Sequence, residues 1–95
     1  MIITISYRGR KTELEIDLKD NIRTILDKYY DKVNWKGNRF YTKEEVILKG
    51  GDNLLNSDEQ CLNVTAEELG FDDDDNLTLL ITKEVNAGKK AIIFI

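Results

Sequence analysis

The chain has 95 residues, of which 41% are hydrophobic and 34% charged, and its 14 Lys+Arg against 18 Asp+Glu leave a net charge of −4. That length suits one globular domain with a modest core. The acidic balance lacks the positive footprint that phosphate backbones demand, so nucleic acid is not an expected partner.

The absence of histidine removes Ser-His and Cys-His nucleophile pairs, histidine general bases and histidine metal ligands. The chain is therefore read as non-catalytic, with no cofactor expected. The one cysteine, Cys61, has no partner for an internal disulfide. It is either a small buried filler or a reactive thiol, and no histidine stands by to activate it. The N-terminal run lacks the basic head and long apolar stretch of a signal peptide. No segment approaches the ~20 apolar residues that span a bilayer. The expectation is a cytoplasmic domain without membrane insertion.

Met1, Ile3, Ile5 and Tyr7 alternate with Thr4 and Ser6, which predicts a half-buried strand. Arg8-Gly9-Arg10-Lys11 is a glycine-centred turn. Beyond it Leu14, Ile16 and Leu18 alternate with Glu13, Glu15 and Asp17, completing a β-hairpin. At Asp20 the period changes. Ile22, Ile25, Leu26, Tyr29 and Val33 form a helical stripe, with Asp20 or Asn21 as its cap. The helix runs to about Asp31 or Lys32, and residues 34–38 (NWKGN) end it. Trp35, just past this end, either folds back onto the helix or stands out as an anchor for a partner.

Residues 45–49 (EVILK) predict a short strand, Gly50-Gly51-Asp52 a tight turn, and Asn53-Leu54-Leu55 a minimal returning strand. Thr65 and Glu68 have the spacing of a capping box, and Gly70 ends that helical turn in the left-handed conformation. Residues 77–82 predict the closing strand. Between them lie four aspartates, residues 72–75. A calcium loop starting at Asp72 needs glycine at its sixth position and glutamate at its twelfth. Leu77 and Lys83 stand there, so the aspartates are read as a solvated turn, with weak adventitious cation binding as the alternative. Ala87-Gly88-Lys89-Lys90 lacks the first glycine and the Ser/Thr of a phosphate loop. Ile5, Leu14, Ile16, Ile25, Leu26, Leu48, Leu69, Leu77 and Leu79 form the expected core.

The stretch EEVILKGGDNLLNSDEQCLNVTAEELGFDDDDNLTLLI resembles the second half of ubiquitin-like proteins. There an apolar strand, glycine turn, short strand, helical turn ending Leu-Gly-apolar and polar turn precede a closing strand. Residues 1–33 match the first half, so the resemblance covers residues 1–82. Among bacterial members, the chain is similar in size to the YukD-like proteins associated with type VII secretion. The resemblance implies an α+β, ubiquitin-like β-grasp fold: a mixed sheet packed on one main helix. Residues 1–82 make the domain, residues 83–90 a polar linker, and residues 91–95 (AIIFI) an apolar extra strand or tail suited to self-association.

Ubiquitin-like modifiers and sulfur carriers end in Gly-Gly, whereas the only such pair here, Gly50-Gly51, lies inside the fold. Ferredoxins of this fold need four cysteines, and there is one. The expected role is a protein-interaction domain. Its alternatives are an accessory component of a type VII-like secretion system and a modifier or carrier lacking its usual tail. Ile47 and Leu80, on adjacent strands with the same outward sense, correspond to the apolar patch by which ubiquitin is read. Lys49 and the basic hairpin tip of residues 8–11, with Arg8 and Arg10 foremost, are its expected charged rim. The alternative is that the C-terminal residues cover Ile47 and Leu80 as core.

Overall fold

A computed structural model of the protein describes residues 1–82. The expectations for residues 83–95, as linker, strand, tail, self-association segment or cover for the sheet, lie outside the described residues.

β1 (Ile2–Tyr7) and β2 (Arg10–Glu15) form an antiparallel hairpin. Arg8 and Gly9 link them with φ of 52° and 78°. Two positive φ values make a primed turn, whose twist matches that of the strands. Helix α1 (Ile22–Lys32) follows. Its cap is Asn21, whose side chain accepts from the Thr24 amide at 2.9 Å. β3 (Val46–Gly50) turns through Gly51 into the two-residue β4 (Asn53–Leu54). A 3-10 turn at Cys61–Asn63 precedes α2 (Ala66–Leu69), and β5 (Asn76–Ile81) closes the sheet.

The sheet order is β2-β1-β5-β3-β4. β5 lies parallel to β1, pairing Ile5 with Leu77 and Tyr7 with Leu79, and antiparallel to β3. One face is apolar: Ile3, Ile5, Leu14, Ile16, Val46, Leu48, Leu77, Leu79 and Ile81 are buried. α1 covers it with Ile22, Ile25, Leu26, Tyr29 and Tyr30. Tyr30 fell outside the predicted stripe. It enters the core because its hydroxyl reaches the Phe40 carbonyl, donating at 2.7 Å. Burial pushes that hydroxyl up to about 12.

Both helices end in the same way. Asn34 at φ 56° and Gly70 at φ 73° turn the chain left-handed. The next residue's amide then reaches back five residues: Trp35 to the Tyr30 carbonyl at 2.8 Å, Phe71 to the Ala66 carbonyl at 3.0 Å. This is the Schellman arrangement, and it folds both aromatic side chains inward. At α2 it corrects the expected core. Phe71 takes the buried place and Leu69 is 36% exposed, because a four-residue helix has only one face to bury and Ala66 occupies it. Leu18 is likewise 45% exposed, since β2 stops at Glu15 and residues 17–20 form a turn.

The Thr65 half of the capping box is present, with the Glu68 amide donating to the Thr65 hydroxyl at 3.2 Å, while the Glu68 carboxylate accepts from that same hydroxyl at 3.1 Å. The four aspartates serve the backbone around them. Asp73 Oδ1 accepts from the Ile2 amide at 2.6 Å, and the Asp74 amide donates to the Ile2 carbonyl at 2.7 Å. Asp75 accepts from the Asp72 amide at 2.9 Å, closing its own turn. Among the described residues no helix is long and apolar enough to cross a membrane.

Candidate protein-interaction site

Successive residues of a strand point to opposite faces. Since Val46, Leu48, Leu79 and Ile81 are buried beneath α1, Ile47 and Leu80 must face away from it. The register makes them direct partners across β3 and β5. Leu80 is 48% exposed and Ile47 is half-buried. A side-chain row lies beside this pair. Lys49 pairs with Thr78, Thr78 with Ser6, and Ser6 with Lys11, while half-buried Leu54 of β4 pairs with Lys49, so one row crosses all five strands with the two hydroxyls between two lysines. The next row, Asn76, Thr4 and Glu13, is polar. The open face therefore holds an apolar pair bordered by hydroxyls and two ammonium groups.

The structure divides the basic hairpin tip that the sequence presented as one rim. Lys11 shares the open face with Ile47 and Leu80. Arg10 pairs with Tyr7 and shares the sense of Leu14 and Ile16, which places it on the helix side. Arg8 sits in the turn with its guanidinium 5.4 Å from the Tyr7 ring centroid. Of the five expected site residues, Ile47, Leu80 and Lys49 come together, and Arg8 and Arg10 meet elsewhere. Lys11 is the rim residue that strict alternation from Leu14 identifies.

Cys61 is half-buried, in the wall of a cavity of about 400 Å3 between the β3–β4 turn and α2. Its amide donates to Asp58 Oδ1 at 2.9 Å. That donation is the main influence holding the Asp58 carboxyl below its ordinary value.

No family model and no curated protein matches the sequence. Solved structures do resemble it. A ubiquitin of Caldiarchaeum subterraneum superposes with a TM-score of 0.63 at 20% identity, over 85% of this chain and 91% of that one. A chain from a structure described as "Molecular Mimicry of SUMO promotes DNA repair" superposes with a TM-score of 0.67 at 11% identity, over 85% and 90%. Strand order, helix placement and these likenesses together establish that the chain has the ubiquitin-like β-grasp fold.

Proposed function

We propose that this is a non-catalytic docking domain that binds a protein partner through the open face of its sheet. The observation that carries the reading is the Ile47–Leu80 pair, two apolar side chains in register on a face that α1 does not cover. A small apolar centre with a charged border is the anatomy of a recognition patch. Lys11 and Lys49 suit a partner that presents an apolar side chain flanked by carboxylates. The fold's likeness to ubiquitin and the lack of histidine also support binding over catalysis.

The test is the double substitution Ile47→Ser and Leu80→Ser, used beside the wild-type domain as bait in native lysate. Glu13→Gln, on the same face but away from the pair, is the control. Loss of the captured protein with the double variant alone, at unchanged amide dispersion, is the expected result. Equal capture by all three baits removes the patch.

A further inference from the structure

β5 ends at Ile81, one residue beyond Leu80, and the chain leaves the sheet at a fixed point. The Thr82 amide donates to the Glu45 carbonyl at 3.0 Å, and its hydroxyl donates to the Glu44 carbonyl at 3.2 Å. Thr82 is thus held at the start of β3, one step from the Val46–Ile81 pair. Two residue steps of strand, about 7 Å, separate it from Leu80. β5 is paired on both sides, with β1 and with β3, so no free backbone edge lies beside this exit. What the exit offers is side-chain surface: Leu80, Ile47 across from it, and half-buried Leu54, one row on beside Lys49.

Two other large hydrophobic side chains are exposed among the described residues, Leu18 and Leu69. Both lie at the far end of the sheet. Leu18 follows β2, whose last residue Glu15 pairs with Ile2 at the start of β1, and the Glu67 amide ties α2 to the Leu18 carbonyl at 2.9 Å. At the exit end of β1, by contrast, Tyr7 pairs with Leu79.

The sequence supplies an occupant for the surface at the exit. Residues 91–95 (AIIFI) are apolar throughout. Residues 83–90 (KEVNAGKK) join them to Thr82, with Asn86 and Gly88 as turn-forming residues at their centre. Such a stretch reaches at most ~28 Å, about four times the distance back to Leu80. A reversal centred on Ala87 sets Phe94 level with Leu80, since both are seven residues from it.

We propose that residues 91–95 rest on the Ile47–Leu80 pair of their own chain and must leave it before a partner can bind. The inference rests on the docking role proposed above and adds its regulation: the patch is closed in the free protein and opened by competition. A segment on a short tether has an effective concentration on the order of 1 mM. A contact with a Kd as weak as about 0.1 mM then covers the patch about nine-tenths of the time, and a partner's apparent affinity falls about tenfold. The same contact shelters an apolar run that would otherwise invite aggregation.

The test uses the full chain and its methyl and aromatic resonances. Nuclear Overhauser contacts are expected between the Phe94 ring and the methyl groups of Leu80 and Ile47, at relative intensities that dilution does not change. Ile92→Ser with Phe94→Ser should abolish them, move the Leu80 and Ile47 methyl shifts and leave those of Ile5 and Leu14 in place. The probe is the synthetic peptide Ac-Lys-Lys-Ala-Ile-Ile-Phe-Ile-NH2, which copies residues 89–95. It should bind this variant about tenfold more tightly than it binds the wild type, because the patch is vacant. Adding Leu80→Ser to the variant should abolish that binding. Absence of the Phe94 contacts, or equal peptide affinity for wild type and variant, overturns the proposal. Contacts that fade on dilution also overturn it, since the occupant would then be the segment of a second copy. The two readings fail apart: contacts absent with capture lost by the Ile47→Ser, Leu80→Ser bait remove the cover alone, and contacts present with capture undiminished remove the docking role alone.

Discussion

The Trp35 amide donates to the Tyr30 carbonyl at 2.8 Å, and the rings of the two residues lie 5.3 Å apart. Backbone bond and ring contact are one device. Asn34 reverses the chain, and Trp35 returns to the last turn of α1. Asn34 holds this reversal at φ 56°, where a Cβ is normally disfavoured and asparagine is among the tolerated residues. Asn34→Ala should cost about 1 kcal/mol in urea denaturation and shift the Trp35 emission. Asn34→Gly should be neutral or stabilising. An alanine variant as stable as the wild type would mean that the turn is not under this constraint.

Asn56 is fully buried, and its side chain behaves as a piece of backbone. Its Oδ1 accepts from the Leu48 amide at 3.0 Å, while its amide nitrogen donates to the Val46 and Tyr41 carbonyls at 2.8 and 2.7 Å. Asn56→Ala removes all three partners and leaves a void. The expected loss is about 3 kcal/mol or more, because buried polar groups without partners cost ~1–3 kcal/mol each. Asn56→Asp should also lose stability at neutral pH, since a carboxylate cannot donate to either carbonyl. A loss below about 1 kcal/mol for the alanine variant would show that water takes over the role.

Asp20 links acid stability to the α1 entry. Burial alone would raise its carboxyl, but the Asp17 amide and Lys28 outweigh burial and hold it below the ordinary 3.8. A carboxyl that is more acidic when folded stabilises the native state above its unfolded pKa. That contribution is complete above about pH 5 and fades as pH falls below ~3.9 through the folded value. The stability gap between wild type and Asp20→Asn should therefore be constant from pH 7 to 5 and shrink toward pH 3. A gap that stays constant down to pH 3 refutes the linkage.

Period two made the outward sense of Ile47 and Leu80 legible, because neighbouring buried residues fix every other position on a strand. The same rule divides Arg10 from Lys11, although charge alone makes residues 8–11 one group. Gly70 announced its left-handed turn, since glycine is the usual residue there. Asn34 performs the same turn with a residue common in any loop, so the sequence marks where α1 ends and lets Trp35 fold back, but leaves the left-handed turn itself unmarked. Leu69 showed the limit of composition: beside a glycine turn, the inward place passed to Phe71. Asn56 gave no signal, because its role depends on backbone groups eight and ten residues away.

The β4 strand covers only the last two residues of β3. The remaining flank of β3, with the Leu48 amide and the Val46 carbonyl, would otherwise be an open template for a strand from another molecule. Asn56 occupies both groups with its side chain, and the Leu55 amide takes the Leu48 carbonyl at 2.9 Å. At the other margin of the sheet, β2 presents exposed Lys11, Glu13 and Glu15 to solvent. Charge guards one edge and a single buried amide guards the other, so an Asn56 variant should be prone to aggregate as well as easier to unfold.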